Sequence, residues 1–233
     1  MQAAADTQNV VEKSPSRLAE FVGNMPASYF SIVLGLAGLG NAWRAATEVW
    51  QLPAITAELI YGAAGVVWAT LTVLYIIKAL LVPAKVAAEA AHPVQCCFIG
   101  LAGVATMLIA GGLVPHSHAG ATIIFVTGFV FTLSFGVWRT GQLWHGERDP
   151  STTTAVLYLP TVAGSFVSAT VASALGHPDW GQLAFGAGML SWLAIESVLL
   201  HRLLMGPETL AALRPTLGIH LYPRPLGPSH TSL

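Results

Sequence analysis

Six stretches of this chain are too long and too apolar to face water: approximately residues 25–47, 54–80, 93–114, 119–144, 154–175 and 180–204. A helix needs about 20 mostly apolar residues to cross the hydrocarbon of a bilayer, and each stretch meets that length. The runs are continuous, whereas a transmembrane barrel would show ~10-residue strands of alternating polarity. The breaks between them, at 48–53, 82–92, 115–120, 145–153 and 176–179, are short. The sequence therefore predicts an all-α integral membrane protein with six transmembrane helices.

Composition sets what such a chain is not. Only 9% of its residues are charged and its mean hydropathy is +0.65, against roughly 25% charged residues in a soluble domain. A soluble enzyme is excluded. The net charge of -1 provides no concentrated basic face, so no nucleic-acid partner is expected. No phosphate-cradling loop, H-E-x-x-H or G-x-S-x-G motif occurs, so no catalytic residue and no cofactor is expected. The adjacent Cys96 and Cys97 cannot staple distant segments and read as packing residues. The first twenty residues carry Glu12, Lys13, Arg17 and Glu20 with no apolar core, which argues against a cleavable signal peptide.

The basic residues predict the orientation. Lys13 and Arg17 precede the first span, Lys78 and Lys85 flank the break after the second, Arg139 and Arg148 follow the fourth, and Arg202 and Arg214 follow the sixth. Opposite these eight stands only Arg44, with Arg224 left in the tail. The N-terminus and the even-to-odd loops are thus expected on the cytoplasmic side. Three domains follow: a cytoplasmic segment 1–24, a transmembrane unit 25–204, and a cytoplasmic loop with an aborted seventh helix at 205–233.

An internal repeat appears once the prolines are aligned. Pro26, Pro93 and Pro160 stand 67 residues apart, each near the start of an odd-numbered span and each followed by an aromatic: Phe30, Phe98, Phe166. First-turn prolines are tolerated in helices anyway, but equal spacing favours a repeated unit. That unit is a helical hairpin, present three times in parallel. The odd spans are rich in Gly and Ala, which lets backbones pack closely in lipid. If the odd helices form an inner ring, the same small faces leave an open axis for a small solute.

Few side chains suggest chemistry. Glu196 is the one acid well inside a span, where a carboxylate is costly and marks a functional or partnered position; pairing with Arg202 is the structural alternative. Glu58 reads as a complement to the helix dipole at the start of the second span. His92, His145 and His201 fall at one set of helix ends and His116, His118 and His177 at the other, so no pair faces across mid-membrane to hold a haem. His116 and His118 are too few ligands for a closed metal site. Lys78, Lys85, Trp50, Trp138 and Trp144 are spaced as interfacial anchors.

Several strings resemble a known family. Met25-Pro-Ala-Ser-Tyr-Phe-Ser-Ile-Val-Leu-Gly-Leu-Ala-Gly-Leu-Gly40 with Ala42-Trp-Arg44 is similar to the first helix of the TehA-type tellurite-resistance/dicarboxylate transporters, the superfamily of the plant guard-cell slow anion channels. His92-Pro-Val94, Ala105-Thr-Met-Leu108, Leu157-Tyr-Leu-Pro-Thr-Val-Ala163, Phe185-Gly-Ala-Gly188 and Leu217-Gly-Ile219 follow in order, so the resemblance covers roughly residues 21 to 219.

The resemblance implies ten helices in five hairpins, with the odd helices forming a proline-kinked inner ring around an anion path, in a bacterial inner membrane and usually as a homotrimer. By resemblance the expected function is channel-like movement of small inorganic or organic anions, associated with tellurite resistance. A proton-coupled dicarboxylate carrier using Glu196 as relay, and a non-conducting fragment that only packs in the membrane, are the alternatives. The expected lining residues are Phe30, Gly35, Gly38, Phe98, Gly164 and Phe166, with Pro26, Pro93 and Pro160 as kinks. The family usually has Glu-Pro where this chain has Glu196-Ser197, and a polar Asn near Gly164-Ser165. Pro223 would open a fourth inner helix. The chain is therefore expected to be a C-terminally truncated member that lacks the last four helices and the gating Phe.

Overall fold

The computed structural model describes residues 17–143 and 155–205. The expectations placed on Lys13, Trp144, His145, Arg148, Arg214, Pro223 and Arg224, and on nearly all of the tail, lie outside the described residues. The described part is helical throughout: α1 (Arg17–Gly23), α2 (Phe30–Trp50), α3 (Ala54–Leu81), α4 (Pro83–Ala91), α5 (Gln95–Leu113), α6 (His118–Leu143), α7 (Gly164–Ala174) and α8 (Pro178–Met205). A 3-10 turn at Ala27–Tyr29 leads into α2, and a π-turn at Leu159–Ala163 leads into α7.

Among the described residues five segments are long and apolar enough to cross a membrane: Ala54–Leu81, Gln95–Leu113, His118–Gly141, Ala155–Ala174 and Pro178–Met205. The first span departs from the expected single helix over 25–47. It passes only when α1 and the Ala27–Trp50 segment are taken together, and the two are bent by 65°. The cause is Pro26, which has no N–H to donate and disfavours helical backbone in the residue before it. The break expected at 82–92 is also mostly helix: Pro83 sits at the first position of α4, where its fixed φ is favourable, and five alanines follow.

The helices pack as three hairpins, α2 with α3, α5 with α6, and α7 with α8. Between hairpins, α5 packs against both α2 and α7. The first helix of each hairpin thus lies in an inner arc with α5 at its centre. Burial agrees, since 61% of the most apolar stretch of α5 is buried against 17%, 22% and 11% for α3, α6 and α8. Those outer helices expose Leu59, Val66, Ile123 and Leu190, which is tolerable where the solvent is lipid.

Close approach within hairpins rests on glycine. A Cβ at Gly103 of α5 would stand 2.9 Å from the Gly128 carbonyl oxygen of α6, and one at Gly128 would stand 2.8 Å from that of Gly103. Small residues facing one another in this way let two backbones touch in lipid. The turn from α7 to α8 uses Gly176 at φ 87°, with His177 N donating to Ala172 O at 2.9 Å. Pro178 then starts α8 at once, so helix stop and helix start share four residues.

Each repeat proline opens an inner helix in its own way. Pro26 precedes the 3-10 turn, Pro93 lies between α4 and α5, and Pro160 sits within the π-turn. At the second of these entries the His92 ring is the cap: its Nδ1 accepts from Val94 N at 3.2 Å and Gln95 N at 3.1 Å, satisfying N–H groups the helix itself leaves open. The three prolines mark one end of the bundle, the proline end.

Candidate functional site

At the end opposite the prolines, α2 contributes Arg44. Its Nε and Nη2 donate to Glu58 Oε1 of α3 at 3.2 and 2.9 Å. Its Nη1 and Nη2 also reach the carbonyl oxygens of Gly111 and Gly112 in the last turn of α5, at 3.4 and 3.0 Å. The last four carbonyls of a helix lack the N–H four residues on and lie at its negative end, so a cation is doubly suited to them. The guanidinium sits 4.3 Å from the centre of the Tyr61 ring, whose hydroxyl bonds Asn41 Oδ1 at 2.5 Å. Tyr61 is wedged between Gly40 and Gly112; a Cβ at Gly112 would come within 2.3 Å of the ring. The other Glu58 oxygen is 2.7 Å from His116 Nε2. One guanidinium thus fixes three helix ends, two of them in the inner arc.

The proline end holds a second, drier cluster. Lys78 of α3 is 1% exposed and donates from Nζ to Glu89 Oε1 of α4 at 2.7 Å and to Met25 O at 2.8 Å. Tyr75 donates to the other Glu89 oxygen at 3.0 Å, and its ring packs edge-on against Phe30 at 6.0 Å. The Met25 carbonyl belongs to the bend before Pro26, so Lys78 ties that bend to α4. In the third hairpin, the Tyr158 hydroxyl donates to Glu196 Oε2 across to α8.

These partnerships revise several readings of single residues. Lys78 is a buried ion-pair member rather than a snorkelling anchor. Glu58 lies just past the first turn of α3 and answers Arg44 and His116. Glu196 accepts from Tyr158, on the inner side of its own hairpin, which bears out the reading of a partnered acid. His116 and His118 diverge, the first to Glu58 and the second to Leu175 O at 3.2 Å. Periodicity alone could not pair Arg44 with Glu58, fourteen residues on and in another helix.

The six expected lining residues fall into two groups. Gly35 and Gly38 lie on the open side of α2, exposed, with nothing within 4 Å of an added Cβ. Ser31, Ala42 and Ala45 extend the same exposed face. The aromatics pack inward: Phe30 is 3% exposed in the main core, Phe98 bridges two core clusters, and Phe166 meets Phe185 of α8 at 5.4 Å between ring centres. Gly164 is buried, with Thr132 and Val104 close to where its Cβ would be.

An arc of proline-entered inner helices, each backed by an outer helix in the same hairpin, defines a polytopic membrane protein of repeated-hairpin design. The sequence profile of the voltage-dependent anion channel family, SLAC1, matches residues 24–224, and the chain belongs to that family. It is 34% identical over 200 residues to the tellurite resistance protein TehA homolog of Haemophilus influenzae, a match covering 85% of this chain and 61% of that protein. The chain therefore spans less than two thirds of the length of that relative.

Proposed function

We propose that the three hairpins form part of the wall of a path for small anions across a bacterial inner membrane, with an association with tellurite resistance. The observation that carries this reading is the small-residue face of α2. Gly35 and Gly38 leave space beside an inner helix, in a chain whose family is one of anion channels. Uncharged small residues along that face leave a passage set by width, and the Arg44–Glu58 pair ties together the helix ends beside it. On this reading the proline end is cytoplasmic, and the assembled protein is a homotrimer. Gly35 and Gly38 stand as the proposed lining, with Phe30, Phe98, Phe166 and the buried Gly164 acting as its packed support.

Among the described residues α2 and α7 are joined through α5, which leaves the inner arc open. Reconstituted into liposomes by itself, this chain is expected to pass little anion. A chimera with residues 24–224 in place of the matched segment of the Haemophilus relative is expected to conduct. In that chimera Gly38→Leu should accumulate normally, since its side chain meets open space, yet reduce flux severalfold. A chimera that inserts at the normal level and passes no anion overturns the proposal.

Orientation has its own test. A reporter fused after Arg214 is expected to report cytoplasm, and one fused near His118 the opposite side. A reversed pattern would invert the bundle and place Arg44 at the cytoplasmic mouth.

A further inference from the structure

One apolar concavity lies outside the inner arc. It runs between α6 and α8, floored by the π-turn and α7, and has a volume of about 770 Å³, within the ~300–1,000 Å³ range of sites for single small ligands. No residue lining it is charged. Three of its six hydroxyl side chains bond a carbonyl four residues back: Thr132 to Gly128 O at 2.8 Å, Thr161 to Leu157 O at 3.3 Å and Ser168 to Gly164 O at 2.7 Å. What faces the cavity is hydrocarbon.

We propose that this groove holds one acyl chain of a bilayer phospholipid. Three observations select that occupant. The groove opens outward on the outer helices, where its lining residues Leu133, Val137 and Leu183 are exposed. The lining residues of α6 run from Phe125 to Gly141, which at 1.5 Å per residue is about 24 Å. That exceeds the ~15 Å depth of one leaflet, half of a ~30 Å hydrocarbon core, so a whole tail fits lengthwise. Gly136 and Gly141 leave the slot open, since an added Cβ at either meets nothing within 4 Å. The inference does not depend on anion conduction.

The test uses the full 233-residue chain, purified from vesicles of phosphatidylethanolamine and phosphatidylglycerol and examined by native mass spectrometry for retained phospholipid. Gly136→Leu and Ala187→Phe fill the slot from two sides without meeting a neighbour at Gly136. Gly62→Leu, on α3 and also beside open space, adds the same bulk elsewhere. The parent chain and Gly62→Leu are expected to keep a phospholipid through detergent washing. The two filling variants, which displace several methylenes, should retain roughly tenfold less. Equal retention in the parent and both filling variants overturns the proposal. So does disulfide-linked dimer formed through Ala187→Cys in vesicles but not by the parent, which would put a second copy in the groove.

Discussion

Lys78→Met is expected to lower the stability of the folded chain by about 3–5 kcal/mol, the usual cost of removing one partner from a buried ion pair. The methionine conserves most of the volume, so the loss isolates the charge. Glu89 keeps its Tyr75 bond but loses the ammonium 2.7 Å away, and the Met25 carbonyl loses its described donor. Both effects act on the same joint, where the bend before Pro26 meets α4. Unfolding titrated with sodium dodecyl sulfate and followed by circular dichroism gives the number. Adding Glu89→Gln to Lys78→Met should recover part of the loss, because it removes the stranded charge. A Lys78→Met chain that unfolds within about 1 kcal/mol of the parent would show that the pair does not hold this joint.

Gly128→Leu is expected to remove folded protein from the membrane almost entirely. Overpacking a core costs typically about 1–3 kcal/mol when side chains can yield. Here the obstacles are backbone: the Gly103 carbonyl oxygen at 2.8 Å and the Met107 nitrogen at 3.0 Å from the added Cβ. Neither moves unless α5 and α6 separate, and α5 is the helix on which the other two hairpins pack. Gly65→Leu on α3, where a Cβ meets nothing within 4 Å, should accumulate at parental level. Comparable amounts of both variants in isolated membranes would show that the close contact of α5 with α6 is dispensable.

Much of this architecture is legible in one dimension because lipid imposes a one-dimensional rule. Every backbone polar group must be satisfied inside its own helix, so length and hydropathy alone mark a span. The expected 54–80, 93–114 and 180–204 became Ala54–Leu81, Gln95–Leu113 and Pro178–Met205. The equal spacing of Pro26, Pro93 and Pro160 likewise carried the three hairpins, since the residue that cannot continue a helix is visible as a letter. Family membership was readable in the same strings, and the profile match over 24–224 bears it out.

The pairing of charges was not legible, and the reason is physical. Hydropathy scores each residue against water or lipid, whereas the state of Lys78 depends on an acid eleven residues on and a carbonyl in another hairpin arm. The same blindness made Glu58 a helix-dipole complement instead of the bridge between Arg44 and His116. It also left the aromatics Phe30, Phe98 and Phe166 undirected: repeat spacing placed them at equivalent heights, but which way each ring faces is a question of rotation about the helix axis. In helices that are apolar all round, that rotation leaves no trace in the sequence. Length, apolarity and proline spacing determined that the described residues form three membrane hairpins in parallel. Only the packing of α2, α3, α5 and α7 against one another decided where Arg44 and Lys78 anchor them and which glycines remain open, because those outcomes are set by neighbours that are distant in sequence.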